Sequence, residues 1–251
     1  MHIRTKKWAR PELNACPFYE PLGEDRKGHW REAFARPDQP LHLEMGCGKG
    51  VSTAQMVAAN PDVNYVVVDI SPDVLGDTRR NLVRSWGGNP DNVWILFADI
   101  CLIERYFDRT DDPERIIISF CNPWNEHPKH EKRRLTHPRQ LQQYRRMLKP
   151  NGEIWFKTDD IRLFEDSLVY FDLCGFEMTY GTMDLAKSSF QPNYISEQER
   201  KYMELDIPIK FGIFRMTEQE MDFDPVRFRL TPGLRKEKLA TLYSENHFAG
   251  I

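Results

Sequence analysis

The chain lacks the features that mark several large classes of protein. It contains no run of about 18 apolar residues and its N-terminal stretch has no apolar core, so we expect a protein that is neither membrane-spanning nor secreted. The five cysteines form no Cys-x-x-Cys pair, which indicates neither a metal site nor a disulfide framework and favours the reducing cytoplasm. With a net charge of −3 there is no global positive field, so a nucleic-acid partner must bind a local basic patch.

The most informative segment that is present is rich in glycine and follows a short apolar run. It reads Glu44-Met-Gly46-Cys-Gly48-Lys-Gly50, and a helix-like stretch begins directly after it. Glycine at every second position indicates a loop that passes very close to a ligand, since only glycine tolerates positive φ and a close backbone approach. The spacing differs from the dinucleotide fingerprint Gly-x-Gly-x-x-Gly. It resembles the first motif of S-adenosylmethionine-dependent methyltransferases, in which the acid holds the ammonium group of the cofactor.

Strand-like and helix-like segments alternate along the middle of the chain. Nearly continuous apolar runs predict strands at 41–45, 65–70, 93–98, 115–120 and 153–158, with two more near 176–183 and 207–216. Helices are predicted at 51–59, 72–86, 138–148 and 160–174, and from Ser196. This alternation predicts an α/β fold with a doubly wound, mostly parallel sheet. The methyltransferase resemblance implies seven strands of the class I, Rossmann-like type.

Acidic residues follow three of the predicted strands, at Glu44, Asp69 and Asp99. Ligands of open α/β sheets bind at the carboxyl ends of the strands. A carboxylate accepts two hydrogen bonds and therefore suits a pair of ribose hydroxyls, so we predict that Asp69 binds the ribose of S-adenosylmethionine and that Asp99 faces its adenine. The alternative is structural, because Asp often ends a strand as a turn former or a helix cap.

The densest positive cluster of the chain lies just after the fourth predicted strand. Its members are Lys129, His130, Lys132, Arg133 and Arg134. Arginine and lysine next to a site suit phosphate contacts, and we predict that this cluster binds RNA. The alternative is a solvated loop with exposed charges.

Several motifs together resemble the tRNA (guanine-N7-)-methyltransferase family over about residues 1–215. They are the glycine segment with its lysine, Asn122-Pro123-Trp124, the run from His130 to Leu135, Phe156-Lys157-Thr158-Asp159, and the run from Ser196 to Tyr202. The N-terminal Arg4, Lys7 and Trp8 also resemble the basic arm of bacterial members. The resemblance implies a basic lead-in over residues 1–39, a methyltransferase domain over 40–216 and an extension over 217–251. We expect this extension to be a solvated helix, and the alternative is an extra RNA-contacting or packing element.

The family resemblance also implies a reaction and a set of site residues. The reaction is methylation of guanine N7 in tRNA, in the variable loop, with S-adenosylmethionine as cofactor. The implied catalytic residues are Asn122, Trp124 and Asp159. The implied cofactor-binding residues are Glu44, Gly46, Gly48, Gly50, Asp69, Asp99 and Asn122. The implied substrate-binding residues are Lys129, His130, Lys132, Arg133, Arg134, Asp159, Ser196 and Glu199.

This sequence departs from the family pattern mainly on the substrate side. Asn122 replaces an aspartate and Asn125 replaces a proline, while Ser196 and Gln198 replace Thr and Tyr. Two other functions therefore stay open. One is methylation of an exocyclic amino group, because Asn122-Pro123-Trp124 also resembles the Asn-Pro-Pro-Tyr motif of amino-group methyltransferases. The other is a catalytically weak RNA-binding relative. The sequence leaves open whether the protein is a monomer or a homodimer.

Overall fold

An eight-stranded sheet runs through the centre of the computed structural model, which describes residues 5–245. The strands are β1 Tyr19–Glu20, β2 Leu41–Met45, β3 Asn64–Asp69, β4 Val93–Phe97, β5 Pro113–Ser119, β6 Glu153–Thr158, β7 Phe176–Thr182 and β8 Lys210–Met216. Their order is β1-β4-β3-β2-β5-β6-β8-β7. Every pair from β1 to β6 is parallel, and β8 is antiparallel to both β6 and β7.

All seven predicted strands are present, and the sheet has one strand more than the seven expected. The additional β1 has two residues and pairs with the outer edge of β4. Two residues are too few to show the alternation of apolar and polar side chains that marks a strand, so the sequence did not predict β1. The central strands are apolar throughout because both faces are covered. In β3, Val66 and Val68 enter one core, while Tyr65 and Val67 enter the core on the opposite face.

Seven α-helices accompany the sheet within residues 5–245. They are α1 Ala9–Asn14, α2 Val51–Ala59, α3 Pro72–Trp86, α4 Pro138–Met147, α5 Ile161–Leu173, α6 Glu197–Glu204 and α7 Pro232–Glu245. Helix starts follow the expected chemistry: Asp160 and Ser196 cap α5 and α6 by accepting bonds from Leu163 N and Glu199 N. None of these helices is long and apolar enough to cross a membrane.

Both ends of the described chain pack against the central fold. Ala9 and Leu13 of α1 are buried, and this helix lies against α3. At the other end, Leu239 of α7 is buried against the core. The expectation of a solvated C-terminal helix is therefore wrong for one face of α7. The predicted basic-arm residue Arg4 lies outside the described residues, as does the end of the extension beyond residue 245.

Candidate functional site

A cleft of about 690 Å³ opens at the carboxyl ends of β2, β3, β5 and β6. Parallel strands bring their ends to one edge of the sheet, which is why sequence-distant motifs meet there. The predicted site residues that line the cleft are Glu44, Gly46, Gly48, Gly50, Asp69, Asn122, Asp159 and Ser196. Asp99, Trp124, Glu199 and the basic loop residues are not among the residues that line it.

The three loop glycines serve two different purposes. Gly46 and Gly48 have φ values of +85° and +56°, and an added Cβ would meet nothing within 4 Å at either position. Their side of the loop is therefore open. Gly50 has a φ of +69°, but its Cβ would lie 2.6 Å from Thr78 Cγ2 and 2.9 Å from Thr78 Cα. Gly50 thus permits close packing of the loop on α3, whereas Gly46 and Gly48 leave room for a ligand.

The acids at the ends of β2 and β3 both accept hydrogen bonds from nearby parts of the site. Glu44 binds α2, the helix that follows the glycine loop, and Asp69 binds the loop itself. Glu44 is buried and accepts a 2.6 Å hydrogen bond from Thr53 Oγ1 of α2. Burial raises the pKa of the Glu44 carboxyl to about 7, although Thr53 and Lys157 act in the opposite direction. Asp69 accepts bonds from Gly48 N at 3.2 Å and from Ser71 N at 2.9 Å. Burial raises the pKa of Asp69 as well.

Asp99 caps a helix, which is the structural alternative that its position at a strand end also predicts. Its Oδ1 accepts a 2.9 Å bond from Cys101 N and caps the 3₁₀ helix Ile100–Arg105. This helix begins the irregular link between β4 and β5. Because Asp99 does not line the cleft, its proposed contact with the adenine has no support from this geometry.

The Asn122 segment forms a tight turn at the cleft wall. Asn122 Oδ1 accepts a 3.0 Å bond from Trp124 N. The turn requires left-handed backbone at two non-glycine residues, with φ values of +53° at Phe120 and +49° at Trp124. Such strain persists only where surrounding contacts hold it. The Trp124 ring packs edge-on against His130 at 5.9 Å and lies 5.0 Å from the Arg133 guanidinium carbon.

Arg134 is the exception among the predicted RNA-binding residues. Its side chain is completely buried and forms a 2.8 Å ion pair with Asp166 of α5. The same guanidinium donates to Pro123 O at 2.7 Å and to Asn125 Oδ1 at 2.8 Å. A buried guanidinium with all these partners is not free to bind phosphate, so the predicted RNA contact of Arg134 is corrected to a structural role. Lys129, Lys132 and Arg133 remain exposed on the loop.

The first turn of α6 closes the opposite side of the cleft. Ser196 caps this helix, and Lys49 of the glycine loop forms a 2.7 Å ion pair with Glu197. Glu199 is buried, where it accepts hydrogen bonds from Lys157 Nζ at 2.9 Å and Asn193 Nδ2 at 2.7 Å. Burial lowers the pKa of Lys157.

Sequence reasoning missed several side chains of this network. Lys157 lies within the family motif Phe156-Lys157-Thr158-Asp159, so the sequence could have identified it as a site residue. Asn193 lies in an irregular segment before α6, and no pattern marks it. Tyr202 lines the cleft beside Asp159, and its own motif offered a signal.

The amino-acid sequence is similar to that of known methyltransferases, as the cleft and its glycine loop lead us to expect. Residues 38–211 match the model of a protein family described as "Putative methyltransferase". A tRNA (guanine-N(7)-)-methyltransferase of Clostridium perfringens is 45% identical over 216 residues, which cover 85% of this chain and 98% of the relative. The enzyme of the same name from Clostridium beijerinckii is 46% identical over the same shares. The chain belongs to the tRNA (guanine-N7-)-methyltransferase family.

Solved structures place this family member in the class I methyltransferase fold. An antibiotic-related methyltransferase matches with a TM-score of 0.55 at 17% identity, covering 77% of this chain and 94% of that one. A 16S rRNA methyltransferase also gives a TM-score of 0.55, at 11% identity over 74% and 90% of the two chains. At these identities the likeness concerns the fold alone. The methyl donor of this fold and family is S-adenosylmethionine.

Proposed function

We propose that this protein methylates guanine N7 in tRNA. The observation that carries the proposal is the meeting of two motifs in one cleft: the glycine loop forms one wall, and the Asn122 turn of the family's substrate motif forms another. The exposed cations Lys129, Lys132 and Arg133 follow this turn directly in sequence. A phosphate backbone held by these cations would therefore lie beside the cleft.

The cleft fits S-adenosylmethionine as far as its own residues show. The open space above Gly46 and Gly48 admits a ligand close to the backbone. We assign the ammonium group of the cofactor to Glu44, and the ribose to Asp69. The cofactor supplies an electrophilic methyl group on a sulfonium.

Guanine N7 carries a free lone pair in the neutral base, so its attack needs no general base. The protein must align the nucleophile with the methyl group and hold the base in place. Asn122 Oδ1 accepts the Trp124 N–H bond and keeps a second lone pair. We assign this lone pair, together with Asp159, to the N–H edge of guanine, which leaves N7 free to attack the methyl group.

The runner-up reaction, methylation of an exocyclic amine, places a different demand on Asn122. There the amide oxygen must accept from the amino group that is attacked. The one lone pair that the Trp124 N–H bond leaves on this oxygen would serve either reaction, so the choice rests on the rest of the loop. The cluster of basic residues after the turn belongs to the guanine-N7 family, and we therefore favour N7.

The finer aspects of the function follow from the family resemblance. We place the target guanine in the variable loop of tRNA. We place the reaction in the cytoplasm, where five free cysteines would stay reduced.

Borohydride–aniline cleavage of tRNA after incubation with the protein and S-adenosylmethionine tests the proposal, because it reports N7-methylguanosine directly. We expect cleavage in the variable loop. Asn122→Asp should keep the turn, since a carboxylate oxygen accepts the same Trp124 N–H bond, and should preserve or raise the yield. Asn122→Leu removes the acceptor and should lower the yield by about tenfold or more. Cofactor turnover without cleavage, together with a methylated amino group by mass spectrometry, would move the function to the runner-up.

A further inference from the structure

A single buried carboxylate connects the substrate turn to the C-terminal helix. Asp166 is 3% exposed and lies on α5. Its Oδ2 accepts from Arg134 Nη1 at 2.8 Å, and its Oδ1 accepts from Arg235 Nε of α7 at 2.6 Å. Each oxygen thus has its own guanidinium. The orientation of this carboxylate is fixed from two sides, one in the basic loop and one in the C-terminal extension.

The contacts of Arg134 continue this connection to the cleft. Its planar guanidinium holds Pro123 O and Asn125 Oδ1, which lie on either side of Trp124. Pro123 lines the cleft itself. A guanidinium group is planar and rigid. If its carboxylate partner Asp166 shifts, the guanidinium of Arg134 shifts with it and displaces the two other acceptors, Pro123 O and Asn125 Oδ1. The strained turn described above therefore depends on where Asp166 points.

We propose that Arg235 is a positioning residue for the methyl-transfer site, acting through Asp166 and Arg134. The proposal rests on the proposed function, since it assumes that the Asn122 turn holds the substrate. Arg235 lies outside the residues 38–211 that the family model matches. The C-terminal extension of this chain is thereby part of the support for its active site, although none of its described residues, up to 245, lines the cleft.

Local charges allow Arg235 to be removed without leaving Asp166 unpaired. The network joins the cations Arg134, Arg162 and Arg235 to the anions Glu131, Glu165 and Asp166. Arg162 is half exposed, and its Nε already lies 3.8 Å from Asp166 Oδ2. After loss of Arg235, Asp166 keeps Arg134 and can turn toward Arg162. We therefore expect a displaced carboxylate and a looser turn, in a chain that still folds.

The experiment compares Arg235→Met with Lys238→Met in the full-length protein. Lys238 also joins α7 to α5, through a 2.8 Å ion pair with Asp172, but it does not touch Asp166. Each variant keeps an unbranched apolar stem and loses one cation. We expect both to lower the melting temperature slightly. Only Arg235→Met should lower kcat, by about tenfold, with cofactor affinity unchanged. Arg235→Lys should recover part of this loss, because an ammonium can still bind Asp166 Oδ1.

Hydrogen exchange gives a second measurement that does not need activity. Peptides covering residues 122–134 should exchange about tenfold faster in Arg235→Met than in the parent or in Lys238→Met. Equal effects of the two variants on kcat or on exchange would overturn the proposal, as would an unchanged kcat in Arg235→Met. If the parent protein makes no N7-methylguanosine, the proposed function fails, and the exchange comparison alone decides whether Arg235 holds the turn.

Discussion

At the scale of the residue, the same amino acid has different roles at neighbouring positions. Gly48 and Gly50 both have positive φ, yet only the Cβ position of Gly50 is filled by protein atoms. The empty position at Gly48 faces the cleft that this residue lines. The space above Gly48 is therefore the part of the loop where substitution tests ligand binding most directly.

We predict that Gly48→Ala weakens S-adenosylmethionine binding at least about tenfold, because the methyl group occupies space that the ligand needs. Gly87→Ala is the matched control. Gly87 also has positive φ, +82°, and an open Cβ position, but it ends α3 away from the cleft. Both substitutions carry a similar backbone strain of about 1–2 kcal/mol. Calorimetry should find an affinity loss in Gly48→Ala alone; equal affinities would show that the loop does not bind the cofactor.

Glu44 shows the cost of placing an acid under this loop. Its pKa of about 7 in the folded protein exceeds the value of about 4.3 expected in an unfolded chain. Ionisation of a carboxyl with a raised folded-state pKa opposes folding. This cost is absent below the unfolded pKa, grows between the two values and is complete above about pH 7.

We therefore predict that Glu44→Gln becomes progressively more stable relative to the parent as pH rises from about 4 to 8, by roughly 3–4 kcal/mol in total. The amide oxygen can still accept the Thr53 hydroxyl bond, so the packing is preserved. Urea unfolding at a series of pH values measures the difference. A difference that stays constant across this range would mean that Glu44 keeps an ordinary pKa.

At the scale of the element, the basic loop divides into an exposed and a buried part. Lys129, Lys132 and Arg133 are exposed, whereas Arg134 belongs to the interior. The loop contains the 3₁₀ helix Pro128–Arg133, which displays these three cations while Arg134 secures its end. The three exposed cations are available to bind a polyanion such as RNA. The buried Arg134 fixes the position of the loop that carries them.

We predict that neutralising Lys129, Lys132 and Arg133 together lowers tRNA affinity and flattens its salt dependence by up to about three units of slope. The control neutralises Arg36, Arg84 and Lys149, which lie toward the amino ends of the strands, at the opposite edge of the sheet. Two of these pair with Asp91 and Glu114 next to strand starts. Binding measured across salt concentrations should change only in the first variant; parallel slopes would make the loop an ordinary solvated surface.

At the scale of the whole molecule, the C-terminal segment is part of the folded unit. The backbone of Gln219 passes so close to Gly175 that a Cβ there would lie 2.2 Å from its carbonyl oxygen. Phe223 and Phe228 pack against the main core. Arg145 donates to the carbonyls of Cys174, Gly175 and Thr217, which joins the segment to the end of α5.

We predict that ending the chain at residue 216 costs at least about 3 kcal/mol of unfolding free energy, because it exposes the core surface that this segment covers. The control removes only residues 246–251, which lie outside the described residues. Denaturant unfolding of both truncated chains gives the comparison. Equal stability of the two would mean that the extension packs without stabilising the fold.

The class I fold, the seven main strands and the glycine loop were predictable from the sequence because their signals are local. Buried parallel strands are apolar at every position, and a loop that must approach a ligand closely needs glycine at particular residues. The family followed from short motifs for the same reason. The comparisons with relatives confirm the family, while the individual roles of the site residues stay predictions.

Only the tertiary structure decided which charged residues face solvent. Arg133 and Arg134 are adjacent in a basic run, and nothing in their sequence separates them. Arg134 is buried because Asp166, thirty-two positions later in the sequence, meets it with a carboxylate that Arg235 also binds. A buried charge is tolerable only when distant partners compensate it, and pairing at long sequence separation leaves no local pattern. Pairing with a distant partner also explains why Glu199 is buried: it binds Lys157, although the charge pattern of its helix is typical of a solvated helix.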